Sequence, residues 1–103
     1  MGDEELKKLL CYLKDKNLVT FLNLRRNRIT NDGAELLANF LIYHDTEIFK
    51  LDIQRNLITD KGALAILKAV EKTIRILDLK MYYGNCFDKQ IDFDIKEEIK
   101  ANM

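Results

Sequence analysis

The sequence predicts an α/β fold, a short solenoid in which parallel strands alternate with helices. The segment from Leu22 to Ala34 returns between Leu51 and Ala63, so that equivalent residues lie 29 positions apart. Within each copy the apolar spacing changes from every second residue, typical of a strand, to every third or fourth, typical of a helix. One such unit cannot bury its apolar face alone. The units are therefore expected to stack, with right-handed crossovers between parallel strands.

The first part of the chain predicts a helix, a strand and a second helix. Asp3 can cap a helix that runs to about Lys16. Its apolar stripe consists of Leu6, Leu9, Leu10 and Leu13. Leu22 and Leu24 form the inward side of a strand. The residues 30–32 are good helix starters, and the helix that follows buries Ala34, Leu37, Ala38 and Leu41 and ends near Tyr43.

The second unit repeats this order, and a third unit follows with a less regular pattern. The second strand turns Ile48, Leu51 and Ile53 inward, and the next helix, started by Thr59 or Asp60, buries Ala63, Ile66, Leu67 and Val70. A third strand is predicted over 75–79, with Leu77 and Leu79 matched to Leu22 and Leu24. On this alignment Tyr82 stands where a third asparagine is due, and Asn85 comes three residues late. The last helix places Ile91, Ile95 and Ile99 on one side.

Length and composition predict one domain. We expect a single unit over 1–103, divided into an N-terminal capping helix (1–17), repeat 1 (18–46), repeat 2 (47–74) and a degenerate third repeat with a closing helix (75–103). Seventeen basic residues balance seventeen acidic ones, which disfavours binding to nucleic acid or to an anionic membrane.

Two further features of composition predict where the protein works. No apolar run approaches the roughly 20 residues of a membrane span, and the acidic start is unlike a secretory signal. Cys11 and Cys86 stand far apart without metal-site spacing, which favours reduced thiols over a disulfide. We therefore expect a cytoplasmic, intracellular protein.

The repeated motif carries a family resemblance. The patterns Val19-x-x-Leu22-x-Leu24-x-x-Asn27-x-Ile29 and Ile48-x-x-Leu51-x-Ile53-x-x-Asn56-x-Ile58 resemble the leucine-rich repeat. The added Gly33-Ala34-x-x-Leu37-Ala38 and Gly62-Ala63-x-x-Ile66-Leu67 are similar to the helix-rich subclass typified by ribonuclease inhibitor. The resemblance implies strands on a concave side, helices on a convex side, and Asn27 and Asn56 bonded to backbone groups where the chain leaves each strand.

The same resemblance implies a candidate binding face made of exposed strand residues. They are expected in four columns: Phe21, Lys50 and Ile76; Asn23, Asp52 and Asp78; Arg25, Gln54 and Lys80; and Arg26, Arg55 and Met81. Asp52 and Asp78 would be close like charges, offset by the basic side chains beside them. The charged columns are either a binding strip or a solvated face, and the apolar residues Phe21, Ile76 and Met81 indicate either a contact surface or a misassigned strand register.

The loop after the third strand adds two aromatic candidates. Tyr82 and Tyr83 form either a contact loop or a tucked-in cap.

The sequence contains little that indicates catalysis. It has no serine and no glycine-rich phosphate loop, and its single histidine, His44, lacks the companions that a metal site needs. We expect no catalytic residue, cofactor or metal. The predicted function is a non-enzymatic protein–protein interaction module, a small scaffold or adaptor subunit of a larger intracellular assembly.

Two other functions remain open at this stage. One is a GTPase-activating protein resembling the Ran activators, in which an exposed arginine (Arg25, Arg26 or Arg55) would enter the GTPase site. The other is an actin-filament-binding module resembling the repeats of tropomodulin.

Overall fold

The computed structural model describes residues 1–14, 18–44, 46–73 and 75–102. Four helices and three strands alternate along the chain: α1 (Asp3–Leu13), β1 (Phe21–Asn23), α2 (Asn31–Tyr43), β2 (Lys50–Asp52), α3 (Asp60–Lys72), β3 (Asp78–Lys80) and α4 (Lys89–Asn102). The predicted end of the first helix near Lys16 lies outside the described residues. The division of the chain into a cap and three repeats stays a prediction.

The strands form one parallel sheet in the order β1-β2-β3, so each strand pairs with the next along the chain. Leu51 pairs with Leu22 on one side and with Leu79 on the other. Consecutive parallel strands need a crossover, and α2 and α3 supply it. The α/β solenoid predicted from the sequence is confirmed.

The core lies between the sheet and the row of helices. Leu24, Leu51 and Ile53 point inward from the sheet and are almost fully buried. The helices cover them with the predicted stripes: α2 buries Ala34, Leu37, Ala38 and Leu41; α3 buries Ala63, Ile66 and Val70; and α4 buries Ile91, Ile95 and Ile99. Leu9 and Leu67 pack only partly against this core. No helix within the described ranges is long and apolar enough to cross a membrane.

The predicted alignment of the third repeat is wrong by two residues. β3 begins at Asp78, and Leu79, not Leu77, pairs with Leu51. Ile76 is fully buried, and Met81 is only 3% exposed. Neither residue lies on the open face where the sequence placed it. A slip of two residues keeps the in-out alternation of a strand, so the spacing Leu-x-Leu alone could not separate the two registers.

An asparagine lies where the chain leaves each strand, and two of the three, Asn56 and Asn85, join successive repeats. Asn56 is buried, its Nδ2 donates to the carbonyl of Leu24 at 3.0 Å, and its Oδ1 accepts from the amide of Ile29 at 3.1 Å. Asn85 repeats both bonds one unit later, to Ile53 at 2.9 Å and from Ile58 at 3.0 Å. Asn85 is therefore the third asparagine of the series. It comes 29 residues after Asn56, whereas Leu79 comes 28 after Leu51, so the third loop holds one extra residue.

Asn27 stands at the start of this series and forms fewer bonds. Its Nδ2 donates to the carbonyls of Leu24 and Arg25, at 2.9 and 3.3 Å. The implied role of Asn27 and Asn56 in holding the strand exit is confirmed.

A second series of polar side chains links the helix starts. Oδ1 of Asn31 accepts from the amides of Thr59 and Gly62, at 2.9 and 3.0 Å, in the next repeat. Asp60 accepts in the same way from the amide of Asp88 at 2.8 Å. Each helix start therefore caps the helix start that follows it.

Asp3 belongs to the same series. Its Oδ1 accepts from the amide of Thr30 at 2.9 Å, while Gly2 is the N-cap of α1. The expectation that Asp3 caps the first helix is wrong, because its carboxylate serves the next one. Backbone amides of Gly2 and of Glu5 itself instead donate to the Glu5 carboxylate and hold the pKa of Glu5 below its ordinary value.

Candidate protein-interaction face

The open sheet face is the side of the sheet that the helices do not cover. Its first row contains Phe21, Lys50 and Asp78, which are neighbours in the strand register. Lys50 Nζ lies 4.8 Å from the centre of the Phe21 ring and 3.8 Å from Oδ2 of Asp78. Phe21 is 45% exposed, so its ring is available for contact. The row combines an aromatic ring and a charge pair on a backbone fixed by the sheet.

The second row contains Asn23, Asp52 and Lys80. Oδ1 of Asp52 accepts from the amide of Gln54 at 3.1 Å, and Oδ1 of Asn23 makes the equivalent bond with Arg25, also at 3.1 Å. Asp52 is 8% exposed, so most of its surface is unavailable to a partner. Its cross-strand neighbour is Lys80. The predicted placement of Asp52 and Asp78 in one column is wrong, because the register pairs Asp52 with Lys80 and Asp78 with Lys50.

Beyond the strands the chain turns through a left-handed residue in each repeat. Arg26 and Arg55 have φ angles of 60° and 58°, and Gly84 takes the same position with 76°. The backbone of a residue with a side chain is strained in this left-handed region, whereas that of glycine is not. The amides of Arg26 and Arg55 donate to the carbonyls of Gln54 and Tyr83, at 3.1 and 2.8 Å. Both arginine side chains are exposed at the rim of the open sheet face.

The tyrosine loop is part core and part surface. Met81 points into the core. The ring of Tyr82 is half-buried and packs edge-on against Phe87, with centroids 5.4 Å apart. Tyr83 is 74% exposed and lies 6.3 Å from Tyr82 between ring centroids. Tyr82 thus anchors the loop, and Tyr83 presents its ring to solvent.

The structure brings together most of the side chains expected on this face. Those with exposed atoms are Phe21, Asn23, Arg25, Arg26, Lys50, Gln54, Arg55, Asp78, Lys80, Tyr82 and Tyr83. Ile76 and Met81 are excluded by burial, and Asp52 is almost covered. That the exposed set binds a partner stays a prediction.

Three residues of α4 border the same surface and were missed from the sequence. Lys89, Asp92 and Lys96 line a cleft together with Arg25, Lys80 and Tyr83. Lys96 Nζ lies 2.9 Å from Oδ2 of Asp92. Their spacing of three and four residues puts them on one helix face and could have grouped them. Only the fold places that face beside the strand exits.

The side chains set aside as non-functional lie elsewhere. His44 is exposed at the end of α2, with its ring centroid 5.2 Å from that of Phe40. Cys11 and Cys86 are free and exposed. The described part of the chain contains no group of three or more histidine, cysteine, aspartate or glutamate side chains that could hold a metal ion.

Comparison with known proteins identifies the repeated motif. A family model described as a leucine-rich repeat matches residues 16–38 and 50–67. These two segments contain the two copies of the repeated motif. The chain therefore contains leucine-rich repeats in these two segments. Its stacked strand–helix units and asparagine series are the structural form of that motif.

The chain is similar to two leiomodins. Leiomodin-2 of Homo sapiens is 25% identical over 91 residues, which cover 87% of the chain and 16% of leiomodin-2. The chain therefore spans about one-sixth of the length of that relative. The solved structure of leiomodin-1 actin-binding site 2 matches with a TM-score of 0.79 and 18% identity, over 100% of the chain and 75% of that structure. This second likeness shows that the two share a fold.

Proposed function

We propose that this leucine-rich repeat protein is a non-enzymatic protein-binding module that acts as a scaffold or adaptor within a larger assembly. The open sheet face supports the proposal. It presents an aromatic ring, charged side chains and two strained arginines on a rigid parallel sheet. Rigid, exposed aromatic and charged groups are the usual anchors of protein interfaces. Stacked repeats use such extended surfaces for recognition.

Actin is the partner that we propose. The observation behind this choice is the likeness over the whole chain to a structure named for an actin-binding site. The relation to leiomodin-2, which covers 87% of the chain, supports the same choice. The first row of the open sheet face, Phe21 with Lys50 and Asp78, is the proposed centre of contact.

Co-sedimentation with actin filaments, together with fluorescence anisotropy on monomeric actin, tests this proposal. The test variant is Phe21→Ala with Asp78→Ala, which removes an exposed ring and an exposed carboxylate from the first row. The matched control is Tyr43→Ala with Glu71→Ala, which removes the same chemical groups from exposed positions on α2 and α3. Circular dichroism shows whether both variants keep the fold.

The proposal expects the wild type and the control to bind actin, and the face variant to bind at least tenfold more weakly, a loss of about 1.4 kcal/mol. Absence of binding by the wild type to either form of actin contradicts actin as the partner. Equal binding by the face variant and the control contradicts the open sheet face as the site.

A further inference from the structure

The cleft between the strand exits and α4 carries an excess of positive charge. We define the cationic cleft by Arg25, Lys80, Lys89 and Tyr83, with a volume of about 690 Å³. Lys96 and Asp92 also line it, but their charges satisfy each other at 2.9 Å. Three cations remain. Within the described ranges of the chain none of these three forms an ion pair, and all three are exposed.

Two further arginines extend this charge along the rim. Arg26 borders the surface depression next to the cationic cleft, and Arg25 lines both. Arg55 occupies the same left-handed position one strand further on, with its amide bonded to Tyr83. The chain as a whole is neutral. The cleft and its rim are therefore a local concentration of cations, and their attraction for an anion acts over about one Debye length, roughly 10 Å.

The spacing of the cations selects an extended ligand. Lys80 belongs to the third strand, and Arg25 follows the first strand. Neighbouring strands lie about 4.8 Å apart, so these two positions are separated by roughly 10 Å. A ligand with two anionic groups at this spacing can contact both side chains without drawing the two cations together, which would cost like-charge repulsion. In an extended peptide of the polyproline II type, residues three apart lie on the same side and are separated by about 9 Å, because the helix has three residues per turn and each residue adds about 3.1 Å.

We infer that the cationic cleft binds an extended acidic segment of a protein partner, with carboxylates about three residues apart contacting Arg25 and Lys80. The exposed Tyr83 ring lies along the side of the bound segment, and its hydroxyl is a further donor to a carboxylate. Nucleic acid is the disfavoured occupant, because affinity for it grows with the number of phosphates that are neutralised, and the chain is neutral overall and offers only these five cations here. The inference rests on the proposed function, since it names the chemistry of the partner surface.

Fluorescence anisotropy with a labelled twelve-residue peptide that has glutamate at every third position and alanine elsewhere tests the inference, with the matching lysine peptide as the opposite-charge probe. The cleft variant is Lys80→Glu with Lys89→Glu. The control is Lys8→Glu with Lys68→Glu, which makes the same change of net charge at exposed positions on α1 and α3. A neutral variant, Lys80→Gln with Lys89→Gln, keeps the test informative if charge reversal disturbs folding.

The acidic peptide should bind the wild type and the control, weaken with added salt, and lose at least fivefold in affinity to either cleft variant. No binding by the wild type, equal loss in the control, or tighter binding of polyuridylate than of the peptide overturns the inference. Actin binding measured on the same variants separates the two proposals. Peptide binding without actin binding contradicts only actin as the partner, whereas actin binding that the cleft variants leave unchanged contradicts only the cleft.

Discussion

The amide of Gly62 donates to Oδ1 of Asn31 at 3.0 Å, which places the start of α3 directly against the start of α2. A Cβ at position 62 would lie 2.6 Å from that oxygen and 2.9 Å from Cγ2 of Ile58. The glycine that recurs three residues after the repeated threonine has no side chain, and consecutive repeats can therefore approach closely there.

This contact predicts the effect of adding one methyl group. Gly62→Ala should lower the free energy of unfolding by about 1–2 kcal/mol, because overpacking costs more than the gain in helix propensity. Gly2→Ala is the control, since the nearest atom to its added Cβ is 3.9 Å away. Its only expected cost in urea unfolding is that of a weaker N-cap, about 0.5 kcal/mol. Equal effects of the two substitutions would contradict the close approach at Gly62.

The asparagine series predicts a gradient of cost along the chain. Asn56→Ala leaves the buried carbonyl of Leu24 short of one donor and the amide of Ile29 without its acceptor, and should cost about 2–4 kcal/mol. Asn27→Ala removes only bonds within its own repeat and should cost about 1 kcal/mol. Chemical denaturation measures both. A larger loss of stability for Asn27→Ala than for Asn56→Ala would contradict the greater contribution of the hydrogen bonds between repeats.

The left-handed turn predicts opposite effects of glycine and alanine. Arg26→Gly should raise the free energy of unfolding by about 0.5–1 kcal/mol, because it removes backbone strain at φ 60°. Gly84→Ala should lower it by about 2–3 kcal/mol, since the added Cβ would meet Cγ of Arg55 at 2.5 Å in a left-handed backbone. Thermal unfolding followed by circular dichroism distinguishes these signs. Destabilisation by Arg26→Gly would mean that the arginine side chain holds the turn.

The register of the third strand predicts which of two adjacent residues supports the core. Ile76→Ala should cost about 2–4 kcal/mol, because Ile76 is fully buried. Leu77→Ala should cost less than about 1 kcal/mol, since Leu77 is 39% exposed. The same urea unfolding experiment compares the two variants. The reverse order of cost would restore the alignment that pairs Leu77 with Leu22.

More of the fold than of the open sheet face could be predicted from the sequence. Leu22, Leu51 and their recurring asparagines repeat at one offset, and the physics of burying one side of a strand then determines the order of elements. The alignment of the third repeat could not be predicted, because the pair Leu77 and Leu79 has the same spacing as the pair Leu79 and Met81. One extra residue before Asn85 hid the correct match.

The candidate site could be predicted only in part, and the reason for this is different. Phe21 and Lys50 follow from strand alternation within two regular repeats. Lys89 belongs to a helix whose position beside the strand exits depends on how the third loop turns, and a single sequence holds no period for that contact. Asp52 alternates like an exposed residue, yet it lies on the central strand, where Asn23 and Lys80 flank it on both sides.

NMR of the labelled protein titrated with unlabelled actin tests most directly whether actin binds through the open sheet face, as proposed. Amide signals of the first row and its neighbours, Phe21, Asn23 and Asp78, should broaden first, while those of Glu35 and Lys68 on the helices persist until late in the titration. Broadening confined to the helix signals, or no change in any signal at saturating actin, would contradict this proposal.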